Sequence, residues 1–570
     1  MKTRKWRDIG RFALIVGIVL LLNIIGSLKF FRLDLTTEKR FSLSDATKDL
    51  LKDFDDIILV NIYLEGDFPA GFQRLQRETR QMLDEFRAYN PNIQYRFIDP
   101  NAAETQKERE ELSQQLQYKG LKPYRLQVKE KSGDRVLSIF PGAIMSLGDQ
   151  EIAVPLLVDQ LGVSPEAQVN NSIQNLEFAL ADGVKRLTAG IKPLVGFLQG
   201  HDEIGPRYLA DFAKVLGENY TVELFDIHKF KSDSTGQDLS VADQQRRLNR
   251  FDALIIAQPK KAFTDLDKYL IDQFIMNGGK TMWLIDAVRA NMDSLSEASQ
   301  FISVPIMDNL RIADMLFKYG VRLNTNHVTD LVCAPVSDQR QQYPWIYFPL
   351  VMPQVKHPIT KDLNAVKLEF AGTLDTIIAK DIKKTILLKS SPYSSTASAP
   401  HVVSLAALYN QPPEERFQQK NLSLGVLLEG EFESVFKNRI TPKSGGEPLR
   451  LKDKSNKTQM IVISDGDIIK NQLNLLNPNI PRGAPLPLGF DQFTQNQFGN
   501  KDFLLNAMDY MLDPTGLIAI RSRELKIRLL DLKRIGEERL KWQLINAILP
   551  VAIVVLFGIL YGFIRKRKYT

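Results

Sequence analysis

Two apolar runs, one near each end of the chain and each backed by a short basic tail, constrain everything that can fold between them. Phe12 to Leu28 follows Lys2, Arg4, Lys5, Arg7 and Arg11, and Leu544 to Ile564 precedes Arg565, Lys566, Arg567 and Lys568. A helix crosses a hydrocarbon core of about 30 Å in roughly 20 residues, so each run is read as a transmembrane helix, over 12–31 and 542–564. Two spans return the chain to its starting side, and the Lys/Arg-rich tails at 1–11 and 565–570 mark that side as cytoplasmic. The expectation is a membrane protein with both termini cytoplasmic and a large domain on the opposite face. Lys29, Arg32, Lys39 and Arg40 blur the orientation of the first helix, and the C-terminal tetrabasic tail decides it. Ser27-Leu28-Lys29-Phe30-Phe31-Arg32 is too bulky for a signal-peptidase site, so the first helix is read as an uncleaved anchor.

The tails also hold the net charge. The chain carries +7 overall, and nearly all of it lies in the membrane flanks, which leaves the middle close to neutral. A pI of about 9.0 therefore gives no nucleic-acid footprint. Cys333 is the one cysteine, so neither an intrachain disulfide nor a cysteine zinc cluster can form. The histidines (His201, His228, His327, His357, His401) are scattered, none pairs with another at helical ligand spacing, and no metal or other cofactor is expected.

The interior alternates strand and helix patterns. Ser44 is an N-cap candidate for a helix over 45–52. A strand at 57–64 precedes a helix at 72–88 with an apolar stripe of Phe72, Leu75, Met82, Leu83 and Phe86, and a second strand spans 93–98. This βαβ unit resembles the thioredoxin-like fold, assigned to 32–190. Its strand-to-helix turn, Gly66-Asp67-Phe68-Pro69-Ala70-Gly71, lacks the thiol pair of redox members, so a redox-inactive scaffold is expected. Strands follow at 124–130, 135–140 and 151–155, with a linking helix at 172–187. From Pro193 onward, strands at 193–199, 221–225, 253–257 and 280–286 alternate with helices at 208–216 and 266–277, which implies a mostly parallel covered sheet. That order resembles the class I glutamine amidotransferase-like fold, over 191–515 and in one or two units. Further strands are expected at 384–388 and 460–464, a helix at 502–512, long loops at 286–305, 391–421 and 471–500, and a basic amphipathic helix at 516–541. The fold class is thus α/β, with two transmembrane helices flanking a multidomain ectodomain.

Chemistry concentrates at two strand ends. Gly200-His201-Asp202-Glu203 lies where open α/β sheets bind ligands, and a histidine with two carboxylates suits acid–base work. A contact or structural loop is the favoured reading over catalysis. Amidotransferase chemistry needs a cysteine on a strand-to-helix elbow, and Cys333 stands before Ala334-Pro335 instead. Asp465 and Asp467 flank Gly466 after a strand and would suit a hard cation, but the D-x-[DN]-x-[DN]-G run is absent and a strand-end turn is favoured. No phosphate loop occurs, since Asn277-Gly278-Gly279-Lys280 lacks the required spacing. The candidate ligand-contact residues are therefore His201, Asp202, Glu203, Asp465 and Asp467.

Several runs carry a family resemblance: Asp34 to Ser44, Gly196 to His201, Ile271 to Lys280, Ser464 to Gln472 and Gly499 to Asn506. Together they are similar to the GldG family, the gliding-motility-associated auxiliary component of an ABC transporter in Bacteroidota. The resemblance spans the chain with both anchors. It implies an inner-membrane assembly with a multispan ABC permease and a separate cytoplasmic ATPase, serving gliding or its secretion machinery. The run Asp34 to Phe41 alone marks the broader ABC-auxiliary class. No catalytic residues come with the resemblance, and a non-enzymatic subunit contacting an envelope protein or polymer is expected. The alternative is a membrane-tethered hydrolase or transferase acting at His201.

Overall fold

The computed structural model describes all residues except 1–9, 11, 22–41, 53, 103–104, 131–132, 159–162, 191, 232–235, 237, 338–340, 354–356, 411, 445–446, 514, 523–531 and 570. The chain divides into two units, Met1–Arg523 and Glu524–Thr570.

The first unit is built around two larger sheets, of four and seven strands. Helix α1 (Asp45–Lys52) starts at Ser44, whose Oγ accepts the Thr47 N–H at 3.2 Å. Strand β1 (Ile58–Ile62) leads to helix α2 (Ala70–Tyr89) and strand β2 (Ile93–Phe97). Helix α3 (Gln106–Tyr118) and a hairpin of β3 (Tyr124–Glu130) and β4 (Gly133–Ile139) come next, then β5 (Gly142–Leu147) and β6 (Gln150–Pro155). The sheet order is β2-β1-β5-β6; β1 and β2 are parallel, and β5 runs antiparallel to both β1 and β6. Both faces are covered. Ile58, Val60 and Ile62 share a core with Phe72, Leu75, Leu83 and Phe86 of α2 and with Ile173, Leu176, Leu180 and Val184 of α4 (Pro165–Thr188). Leu116 of α3 packs against Ile144 from the opposite side.

The central sheet follows. Its strands are β7 (Leu194–Gln199), β8 (Thr221–Asp226), β9 (Ala253–Ala257), β10 (Lys280–Leu284), β11 (Ile382–Lys389), β12 (Ser423–Gly430) and β13 (Thr458–Ile463). In space the order is β11-β12-β13-β10-β9-β7-β8. From β8 to β13 all neighbours are parallel, and β12 runs antiparallel between β13 and β11. Period-two alternation sends side chains to two separate cores. Leu254, Ile256, Trp283 and Val462 join Leu270 and Phe274 of α7 (Asp265–Met276). Ile255, Met282, Leu284 and Ile461 join Phe212 of α5 (Pro206–Asn219) and Phe503 and Met508 of α8 (Asn500–Leu512). Between them, α6 (Val241–Leu248) buries Leu248 in the first of these cores. Burial of each such side chain stabilises by about 1.5–3 kcal/mol, so a charge at Ile255 would break the fold.

Glycine ends α7 as its sequence predicts. The Gly279 N–H reaches the Phe274 carbonyl at 3.0 Å and the Gly278 N–H the Ile275 carbonyl at 2.9 Å, with Gly278 at φ 98°.

Several expectations need correction. Strand β5 and helices α3 and α6 have weak sequence patterns, and their positions follow from packing. The long loops carry short pairings: Val288–Arg289 with Val304–Pro305, Gln300–Ile302 with Val402–Ser404, and Phe490–Asp491 with Asn496–Gln497. Arg521 lies in a 3-10 turn, Leu517–Ser522, rather than on an amphipathic helix. Leu517 and Ile520 enter the first core. The Arg521 guanidinium sits 5.3 Å from the Phe178 ring of α4, donates to the Lys361 carbonyl at 2.9 Å, and also donates to Asn506 of α8. Lys185 of α4 pairs with Asp513 at 3.0 Å.

Of the expected first span, Phe12–Leu21 is an apolar helix, and residues 22–31 lie outside the described residues. In the second unit, helix α9 runs from Leu532 to Tyr569. Its segment Lys541–Arg567 is, among the described residues, the one helix long and apolar enough to cross a membrane.

Candidate functional site

The carboxyl ends of β7, β9, β10 and β13 form one edge of the central sheet, and both candidate clusters lie along it. After β7 the backbone turns sharply: Gly200 has φ 134°, and a Cβ there would stand 2.9 Å from Ile227 Cγ2. Asp202 follows in the left-handed region at φ 59°. The turn drives His201 inward, where its ring stacks on Phe263 at 3.6 Å and 11°.

His201 is fully buried between two carboxylates. Its Nδ1 faces Glu203 Oε1 at 3.2 Å and its Nε2 faces Asp267 Oδ2 at 3.2 Å. The His201 N–H also donates to Glu203 Oε2 at 2.8 Å. Asp267 is the third residue of α7, and it accepts from the Thr264 N–H at 2.8 Å and the Thr264 hydroxyl at 2.7 Å. His228 reaches the other Asp267 oxygen at 3.1 Å. Burial depresses the His201 pKa, but hydrogen bonds to Asp267 and Glu203 and their charges outweigh it and hold the imidazole above its usual range. Burial alone would raise Asp267; its bonds from His201 and Thr264 instead hold it well below the usual carboxylate range. While protonated, an imidazole whose two nitrogens both face carboxylates offers no lone pair to a metal or a substrate proton. The histidines scattered in sequence are thus not scattered in space, since His201 and His228 lie with ring centres 5.0 Å apart. Of the His201, Asp202, Glu203 trio, Asp202 alone is exposed.

The second cluster unites three carboxylates from two strand ends. Asp465 and Asp467 follow β13, and Asp286 follows β10; one oxygen from each lies within 4.8 Å of the others. Backbone donors hold them: Gly466 N–H to Asp286 at 2.6 Å, and Glu369 N–H and Asp467 N–H to Asp465 at 2.8 Å each. The Gln258 amide donates to Asp286 at 2.8 Å, and Lys470 pairs with Asp467 at 3.2 Å. Nearby, buried Lys367 pairs with Glu369 at 2.8 Å. Burial, reinforced by the Asp467 charge, pushes Asp286 up to about 7. Asp465 is raised well above the ordinary range by burial and by Asp286 and Asp467. Burial also raises Asp467, against the opposing charge of Lys470. Three such carboxylates would offer a hard cation one oxygen each, fewer than the six to eight such ions take, and N–H groups already bond both oxygens of Asp286 and of Asp465. Proton sharing is the chemistry this arrangement supports. Asp286, Glu369, Lys367 and Lys470 escaped sequence reasoning. The signal for Asp286 was present, because it ends a parallel strand as Asp465 does. Cys333 lies away from histidine pairing, and burial, with Asp330 adding, pushes its thiol up to about 12.

A family model described as an ABC-type uncharacterized transport system matches residues 192–507, and one described as a domain of unknown function matches 37–146. A Borreliella burgdorferi protein named only as uncharacterized is 21% identical over 99% of both chains. Among solved structures, the N-terminal domain of mmIFT52 aligns over 56% of this chain and 96% of its own at 10% identity, with a TM-score of 0.31. The match at 192–507 takes in more than half of the 570 residues, and the chain belongs to that ABC-type transport-system family, as an auxiliary component.

Proposed function

We propose that the protein is a non-catalytic subunit of an ABC-type transport complex, which depends on a separate cytoplasmic ATPase for energy and on a multispan permease for passage. The observation that carries this is the state of the sheet's carboxyl edge. His201, Asp267, Asp286, Asp465 and Asp467 each have partners within the chain, which leaves no free acid–base pair at this edge among the described residues. Asp202, exposed at the tip of the β7 turn, is the residue of this edge that meets a partner. The first sheet is read as a redox-inactive thioredoxin-like scaffold, supported by its order and by its one antiparallel strand, β5. The amidotransferase-like reading of the central sheet draws on the parallel run from β8 to β13. The topology with both termini cytoplasmic and the large domain periplasmic is supported by the Lys541–Arg567 helix and the basic tails. Service in gliding motility or its secretion machinery rests on the long GldG-like runs in the sequence.

Gentle purification of the tagged chain from its native membrane tests the proposal. An ATPase and a permease in stoichiometric amounts are expected. Recovery of the chain alone, under conditions that keep other transporters intact, refutes it.

A further inference from the structure

At the opposite edge of the central sheet lies a cleft of about 540 Å³, between the start of β10, the start of β13, the end of β12 and the C-terminal turn of α8. This volume falls within the range of small-ligand sites. Its floor is apolar, from Met511 and Leu512, and its walls carry three lysines, Lys280, Lys383 and Lys457.

Two of those lysines are uncommitted. Lys383 pairs with Glu429 at 3.2 Å, and Glu429 also accepts from the Tyr510 hydroxyl at 3.0 Å and the Gln459 amide at 3.3 Å. Asp513 is neutralised by Lys185 at 3.0 Å and bonded by the Thr515 and Leu517 N–H groups at 2.9 Å each. The Lys280 and Lys457 side chains have no hydrogen bond or ion pair among the described residues. The acids of the cleft are thus satisfied by other groups, and two positive charges remain at its mouth. A concave space with low-dielectric walls focuses such charge and concentrates anions. An ammonium binds phosphate as a compact point charge.

We propose that this cleft binds a small ligand carrying a phosphate monoester, phosphodiester or diphosphate group between Lys280 and Lys457, with its apolar portion against Met511 and Leu512. The site is separate from the carboxyl-edge clusters and does not depend on the transport reading. A soluble phosphorylated molecule and a phospholipid headgroup share this chemistry.

Calorimetric titration of the full chain in an uncharged detergent, at fixed ionic strength set with chloride, distinguishes them. The probes are pyrophosphate, glycerol 1-phosphate, dihexanoyl phosphatidylglycerol and, as a zwitterionic control, dihexanoyl phosphatidylcholine. Saturable binding of either water-soluble probe supports a free ligand; binding of the phosphatidylglycerol alone supports a headgroup. In either case K280Q and K457Q each weaken binding about tenfold, the effect of one charge-assisted contact, while K107Q on the surface of α3 leaves it unchanged. Failure of all three anionic probes to bind overturns the proposal. So does equal binding by the wild type and both lysine variants, or equal binding of the phosphatidylcholine.

Discussion

Replacing His201 by Phe separates a structural role from a catalytic one. The substitution keeps the 3.6 Å stack on Phe263 and the backbone bond to Glu203, and removes only the two contacts at 3.2 Å to Glu203 and Asp267. Asp267 retains Thr264 and His228, but each buried carboxylate loses a cationic partner. Leaving a buried charge unpaired costs about 3–5 kcal/mol. At roughly 2 °C per kcal/mol for a large chain, the unfolding midpoint should fall by roughly 6–10 °C. Trp283, fully buried and 6.3 Å from Phe263, reports the transition by fluorescence. Adding E203Q and D267N to H201F should recover most of the loss, because the cost lies in the stranded charge rather than the missing ring. The pH dependence has a defined sign. His201 has a raised folded-state pKa, so its contribution is complete below the ordinary histidine value of about 6.5 and disappears as pH rises through the raised one. The gap between wild type and H201F should therefore be widest in mild acid and narrow toward alkaline pH. A variant within about 0.5 kcal/mol of wild type, the range of ordinary surface substitutions, would refute the reasoning. A gap that the two neutralising substitutions leave untouched would refute it as well.

Asp286, raised to about 7, binds its proton more tightly when folded, so its ionisation lowers stability as pH climbs from the ordinary carboxylate value of about 4 toward 7. Asp286→Asn should accordingly raise the melting temperature at pH 8 and change it little at pH 4; equal effects at both would count against a buried shared proton. Asp272 accepts from Tyr319 at 2.8 Å, Ser434 at 2.7 Å and the Val435 N–H at 2.8 Å, all fully buried or nearly so. Asp272→Ala leaves these donors unsatisfied at about 1–3 kcal/mol each, so urea denaturation should show a loss of several kcal/mol, and a near-neutral result would remove this network as a stabilising element.

Strongly periodic segments were legible in the sequence: α1 with its Ser44 cap, α2 with its apolar stripe, α7 with its glycine end, and the buried parallel strands β7, β9, β10 and β13. Each carries its cause in local residues. Helices α3 and α6 were not legible because their exposed faces dominate their composition, and one fully buried apolar residue each, Leu116 and Leu248, anchors them in a core. Most short strands within 286–305, 391–421 and 471–500 pair over two or three residues, too few to register as alternation, and Ser394–Ser398, which pairs with Asn326–Asp330, is a run of small polar residues. At the candidate site, His201 and Asp465 were visible as strand-end residues. Asp286 carries the same strand-end signal, but its meeting with Asp465, like that of Asp267 with His201, was not legible, because only the sheet order brings those segments near. Sequence distance also concealed the approach of His228 to His201.

The 3-10 turn at Leu517–Ser522 has a mechanical consequence. Its Leu517 and Ile520 are rooted in the core of the first sheet, while Arg521 is bonded to Asn506 on a helix of the central sheet. The covalent chain leaves the unit just beyond this turn. A pull along the backbone at Ser522 is therefore shared by two hydrophobic cores at once. Neither lobe can be peeled away singly from that point, so tension arriving there strains the whole first unit as one body.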